Sequence, residues 1–173
     1  GKAASSFAGG NGSKSSPYII KTGEQLARMR NLVNSSNYNY YSYRHAYYKL
    51  GADIILNSNS SNYSSWGSSA PARRWVPIGN SNAFYGNFNG NGYTISGLYV
   101  NNSDYYTGLF GCCSGSITNL KIKNSYINGK NNYTGAVVGN IYNSSDAKAY
   151  VSNCSVSSSV VKGTNYTGGV IGK

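Results

Sequence analysis

Three phrases of one pattern, YTGLFG (106–111), YTGAVVG (133–139) and YTGGVIG (166–172), recur along the second half of the chain. The stretches between them are related as well. SITNLKIKNSYING (116–129) aligns with YVSNCSVSSSVVKG (150–163) at a constant offset of 34. That offset pairs Ile117 with Val151, Leu120 with Cys154, Ile122 with Val156 and Ile127 with Val161. It also pairs Asn119 with Asn153, Ser125 with Ser159 and Gly129 with Gly163. A looser earlier copy, YTISGLYV (93–100), carries Ile95, Leu98 and Val100 in the corresponding places. A unit of roughly 20–35 residues built from three short strand-like phrases buries its apolar face only by stacking on the next copy. The expectation is an all-β chain wound as a parallel β-helix (a β-solenoid, expected right-handed). In such a stack Asn119 and Asn153 share a turn, where side-chain amides can bond along the axis as in amide ladders. Cys154 falls over Leu120, facing inward as a small hydrophobe. NIYNSSDAKAY (140–150) is longer than the CCSG found at the matching point and reads as an insertion, which a solenoid directs outward, often on its functional face.

Only one segment reads as a good helix, TGEQLARMRNLVN (22–34), and nothing after it is expected to be helical. Thr22 with Gln25 forms a capping-box signature, and Leu26, Met29, Leu32 and Val33 fall on one face. Arg28 and Arg30 lie toward the C-terminal half, where cations suit the helix dipole. The open end of a strand stack invites edge-to-edge pairing, so the helix is expected to act as an N-terminal cap. The chain stops at GGVIGK, within a repeat, which suggests further coils or another domain in a longer parent. The expected organisation is one solenoid domain over 1–173, with the cap at 22–34 and coils over 47–173.

Charge and chemistry narrow the function. Fifteen Lys and Arg face only Glu24, Asp53, Asp104 and Asp146, a net charge of +11. Such a field attracts polyanions, but the basic residues are scattered, with no RNP-like phrase or recognition helix, so no nucleic acid partner is expected. No apolar run approaches a membrane span. Cys112, Cys113 and Cys154 form no CxxC spacing and the only histidine, His45, is distant, so neither a metal nor a cofactor is expected. Glycoside hydrolysis needs two carboxylates about 5–10 Å apart, and calcium-assisted lysis needs several oxygen ligands. Glu24 belongs to the first helical turn, Asp53 to a strand start, Asp104 to the approach to a repeat phrase and Asp146 to the insertion. His45 has no carboxylate or nucleophile near it in sequence. A polysaccharide-degrading enzyme is therefore disfavoured, and the chain is read as non-catalytic.

GLFG, GAVVG and GGVIG, each followed by a coil, resemble GLUG-type repeats of large exported bacterial proteins, among them immunoglobulin A1 protease-like proteins and surface adhesins. Upstream, FAGGNGSKSSPYIIKTGEQLARMRNLVN (7–34) resembles the opening of the region that precedes such repeats. YYKLGADIIL (47–56) resembles its first strand, and WVPIGN (75–80) with FYGNFNGNGYTISGLYV (84–100) its middle. The resemblance implies a parallel β-helix, an extracellular or cell-surface setting and a part in adhesion or host interaction. It brings no catalytic residues, because in those proteases the chemistry lies in another domain, and this chain holds no HExxH.

Two stretches exceed the family pattern, 38–46 and 57–74. The first is rich in tyrosine, and aromatic rings offer rigid area with a polar handle to sugar faces. Tyr38, Tyr40, Tyr41 and Tyr43 with Trp66 and Trp75 are candidates for carbohydrate, and Arg44, Arg73 and Arg74 for an anionic surface polymer. Tyr93, Tyr99, Tyr106, Tyr133 and Tyr166 belong to the repeat and are expected to be packing rungs. The expected function is cell-surface adhesion or glycan interaction; the alternative is a stalk that carries another domain.

Overall fold

The computed structural model describes residues 1–145 and 148–173. Asp146, one of the four carboxylates, lies outside them. Strands dominate, and every pair of named strands runs parallel. One sheet takes Tyr18–Ile20, Tyr47–Leu50, Asn87–Asn89, Ser116–Thr118 and Tyr150–Ser152. A second takes Ile54–Ile55, Thr94–Ser96, Lys121–Lys123 and Ser155–Ser157, and a third Tyr99–Asn102, Tyr126–Gly129 and Val160–Lys162. The repeat phrases supply two more: Tyr106–Thr107, Tyr133–Thr134 and Tyr166–Thr167 form one, and Phe110–Cys113 with Val138–Ile141 the other. The chain therefore visits the sheets in turn and then climbs, in tiers covering 87–113, 116–141 and 150–171 above an irregular first tier over 47–84. The result is a β-helix-like stack of short parallel strands.

Register explains why the offset of apolar residues matters. Ile95, Ile122 and Val156 stand side by side, as do Val100, Ile127 and Val161, and Phe88, Ile117 and Val151. Those of the second and third tiers are buried in one continuous core, and the valines of the last tier pack on it from one side. Pairing Lys121 with Ser155 sets Cys154 beside Leu120 at the edge of that core.

Corners between strands are turned by left-handed residues in columns. Asn119 (φ 55°) and Asn153 (φ 51°) turn the first corner, and Gly97 (φ 71°), Asn124 (φ 50°) and Ser158 (φ 43°) the next. Asparagine tolerates this region because its short amide bonds locally. Here the amides also form a ladder, Asn153 Nδ2 donating to Asn119 Oδ1 at 2.8 Å and Asn119 Nδ2 to Asn89 Oδ1 at 3.1 Å. Asn119→Ala loses both bonds and forces an alanine into the left-handed region, so it should cost about 2 kcal/mol in denaturant unfolding. Asn119→Gly, which relieves the backbone, should recover roughly half of that.

The N-terminal helix, α1 (Gly23–Asn34), starts as its sequence predicts. Thr22 Oγ1 accepts from the Gln25 N–H at 3.2 Å, and Gln25 Oε1 accepts from the Lys21 N–H at 2.7 Å. Leu26, Met29, Leu32 and Val33 are buried together with Ala27. Arg28 and Arg30 do not reach the last turn; their guanidinium groups lie over the rings of Phe7 (5.3 Å) and Trp75 (4.7 Å). Burial lowers the Arg30 pKa. Asn34 ties the end of α1 to the first tier, its Nδ2 donating to Pro77 O and its Oδ1 accepting from the Gly79 N–H.

Contrary to expectation, α1 is not the only helical segment. Tyr38–His45 and Ser60–Ser65 form 3₁₀ helices. The first begins where the Asn37 side chain accepts from the Asn39 N–H, a local bond that competes with extended structure. Among the described residues no helix is long and apolar enough to cross a membrane.

Candidate ligand-binding cleft

The 3₁₀ helix decides how the tyrosine-rich stretch presents its rings, because side chains three apart eclipse in this geometry. Tyr38 lies against Tyr41 (5.9 Å, 15°), Tyr40 against Tyr43 (6.1 Å) and the Arg44 guanidinium over Tyr41 (5.6 Å). Tyr38 is 84% exposed, whereas Tyr43 turns inward to stack on Tyr18 at 5.6 Å. The Tyr43 carbonyl accepts from the Tyr48 hydroxyl at 2.7 Å, and burial holds that phenol far above its ordinary pKa. Arg44 serves the fold as well. Its Nε donates to Val33 O at 3.1 Å and its Nη2 to Ser35 O at 2.5 Å, satisfying carbonyls left open at the end of α1.

From Tyr41 a row of rings continues across the stack. His45 packs on Tyr41 (4.8 Å) and lies nearly flat on Tyr85 (5.1 Å, 10°). The Tyr85 N–H donates to the Arg44 carbonyl at 2.9 Å, fixing the two segments together. The Tyr85 and Tyr142 hydroxyls meet at 3.2 Å. Burial and this contact raise the Tyr142 phenol pKa. Burial first, and Arg44 second, lower the His45 pKa, so the ring is neutral at pH 7. Two hollows meet at Arg44 and Tyr85. One, of about 430 Å³, is lined by Tyr41, His45, Tyr85, Ser114, Ser144 and Ser145. The other, of about 490 Å³, takes in Asn80, Asn82, Tyr106, Asn140 and Tyr142. Ser114 is fully buried, and its Oγ has no hydrogen-bond partner among the described residues. Rings, amides and hydroxyls thus converge along one cleft.

The other sequence candidates lie elsewhere. Trp66 is a correction: it is 1% exposed, packed edge-on against Tyr99 at 5.9 Å and beside Tyr126, where it pins the loop 57–74 to the stack. Trp75 is 5% exposed and donates its indole N–H to Leu109 O. Burial takes both faces out of reach of a ligand. Arg73 faces Glu24 across 3.9 Å, and Arg74 donates to Asn101 O; both line a hollow of about 30 Å³ beside α1, apart from the tyrosines. Of the candidates, Tyr41 and Arg44 reach the cleft.

His45, Tyr85, Tyr142 and the amides of Asn80, Asn82 and Asn140 were missed as site residues. Asn140 and Tyr142 carried a signal as part of the insertion, and His45 as part of the tyrosine-rich stretch 38–46. Ile141 pairs with Cys113 and Tyr150 with Ser116, so eight residues of sequence separate these partners where two, Ser114 and Gly115, separate theirs one tier below.

Among the described residues no carboxylate lines the cleft, and its one thiol, Cys112, accepts from Asn140 Nδ2 at 3.6 Å. Burial raises the Cys112 thiol and pushes Cys113 up to about 12. Asp53 Oδ1 accepts from the Thr94 N–H, and Asp104 Oδ2 from Asn102 Nδ2. Among the described residues no three His, Cys, Asp or Glu side chains gather to hold a metal.

No family model matches the chain. A protein of Evansella cellulosilytica named "Putative Gly-rich membrane protein" is 37% identical over 142 residues, covering 79% of this chain and 14% of that protein. "Halomucin" of Haloquadratum walsbyi is 34% identical over 169 residues, covering 95% of this chain and 2% of that protein. The chain thus spans a small part of the relatives it matches. Among solved structures, a "putative immunoglobulin A1 protease" from Bacteroides ovatus superposes with a TM-score of 0.65 at 21% identity, covering 94% of this chain and 47% of that one. At that identity the likeness speaks for the fold alone.

Proposed function

We propose that the chain is a non-catalytic β-helix domain of GLUG type, part of an exported protein, which binds glycans at the cell surface through the cleft at Tyr85. The row Tyr41–His45–Tyr85–Tyr142, open to one hollow edged by serines and a second edged by amides, carries this reading. Sugar rings present apolar faces to aromatic rings and hydroxyls to amides, and this cleft offers both. The relatives' names, a membrane protein and a mucin, agree with a surface setting. Glu24, Asp53 and Asp104 each have a structural partner, which supports a binding role over hydrolysis.

A stalk is the second reading, favoured by the column Tyr106–Tyr133–Tyr166. Its rings stack at 5.6 Å (13°) and 5.1 Å (26°), which stiffens the stack from tier to tier.

A glycan array probed at low and physiological salt separates the two. Binding should survive salt and fall about tenfold with Tyr85→Ala, while Tyr38→Ala stays within about twofold. The pH sign follows from His45. Its folded pKa lies below the ordinary value, so as pH falls through about 6.5 the unfolded chain takes up the proton first. Stability present above about pH 6.5 should decline as pH falls toward the depressed folded value, and His45→Gln should flatten that decline. Binding to no glycan at either salt would favour the stalk.

A further inference from the structure

We infer a second binding site, for an acidic oligosaccharide, on the outward face of the five-stranded sheet. In this sheet Tyr48, Phe88 and Ile117 point into the core, so their neighbours point out. The outward residues form two rows across the strands. One runs Tyr47, Asn87, Ser116, Tyr150; the other runs Lys49, Asn89, Thr118, Ser152. All of these but Ser152, together with the loop that carries Lys14, line a groove of about 420 Å³. The Tyr47 N–H donates to Gly12 O at 2.9 Å and holds that loop against the sheet as a wall.

The groove has the dimensions and chemistry of an extended sugar chain. Tyr47 and Tyr150 stand three strand spacings apart, about 14 Å, one ring at each end. Tyr150 is half exposed and free to stack. Between them the floor is polar. Ser116 Oγ donates to Asn87 Oδ1 at 2.6 Å, which leaves the Asn87 Nδ2 protons for a ligand. Asn89 and Thr118 line the same floor. Lys14 and Lys49 supply two ammonium groups, and none of the described residues lining the groove is acidic. A neutral sugar leaves those charges unanswered; a chain bearing carboxylate or sulfate groups pairs with them, in a protein whose net charge of +11 already draws it in. The site stands independently of the cleft at Tyr85, with different residues and a different ligand charge.

Titration calorimetry at low salt with trigalacturonate, its neutral methyl ester and a sulfated trisaccharide tests the assignment. At least one acidic trisaccharide should bind, and which of the two binds more tightly identifies carboxylate or sulfate as the preferred group. Methyl esterification, Lys49→Gln and Tyr150→Ala should each weaken binding about tenfold, with the circular dichroism of the variants unchanged. Lys130→Gln removes the same charge from another exposed position and should stay within about twofold. Equal affinity for the ester, unchanged binding in both Lys49→Gln and Tyr150→Ala, an equal loss in Lys130→Gln, or no binding of either acid would each overturn the proposal.

Discussion

Replacing Gly135 by alanine should lower the unfolding free energy by about 3 kcal/mol, measured by urea denaturation. Gly135 follows Tyr133–Thr134 in the middle repeat phrase, where the backbones of two tiers touch. A Cβ there would lie 2.4 Å from Val138 O, 2.6 Å from Val170 O and 2.8 Å from the Gly172 nitrogen. All three are backbone atoms, and the tier-to-tier bonds from Gly168 N to Thr134 O and from Val137 N to Val170 O hold them in place. No rotamer change relieves the clash, so the tiers must separate locally. Gly169→Ala, one tier up in the same phrase, is the control. It meets nothing within 4 Å and should change stability by less than about 0.5 kcal/mol. Equal effects at the two positions would show that helical or strand propensity, not contact between tiers, explains the repeated glycines.

Phe110→Ala should be at least as costly, about 3–5 kcal/mol in the same measurement. The ring is fully buried and lies 5.4 Å from Phe84 and 5.3 Å from Phe88, joining the first tier to the second. Core substitutions cost less where the surroundings collapse into the gap. Here Phe110 N donates to Val137 O, while Ile78 N and Gly111 N pair with Leu109 O and Ile78 O. These ladders fix the spacing of the walls, so the cavity stays open and the cost falls in the upper part of that range. Phe110→Leu keeps most of the volume and should cost less than about 1.5 kcal/mol. A loss under 1 kcal/mol for the alanine variant would mean that the tiers close over the gap.

The repeat made the stack legible because tiers interact only with their neighbours. A side chain that packs inward must recur at the same step, so Ile122 and Val156, or Asn119 and Asn153, announce their pairing by offset alone. The helix cap was legible for a local reason, Thr22 and Gln25 answering each other within one turn. The cleft has no such period. It joins a 3₁₀ helix at 38–45, the return segment at 80–85 and the insertion at Tyr142, which sit far apart in the chain and occur once each. Its composition also misleads. Trp66 reads as a binding ring in a polar loop, yet that loop needs an anchor and the indole is the residue that provides one. Arg44 reads as a free cation but answers the open carbonyls of α1.

The cleft at Tyr85 also bears on how the stack would carry a load. The hydrogen bonds joining tiers run along the stacking direction, so a pull on the two ends strains the interfaces in series and the weakest opens first. Tyr41 and His45 come from the connector below the first strands, Tyr85 from the return into the second tier and Tyr142 from the exit of the third. A ligand seated across these rings is a clamp fastened to several storeys at once. Tension that would peel one tier from the next must first tear the ligand from its rings, so occupancy turns a column that unzips into one that holds.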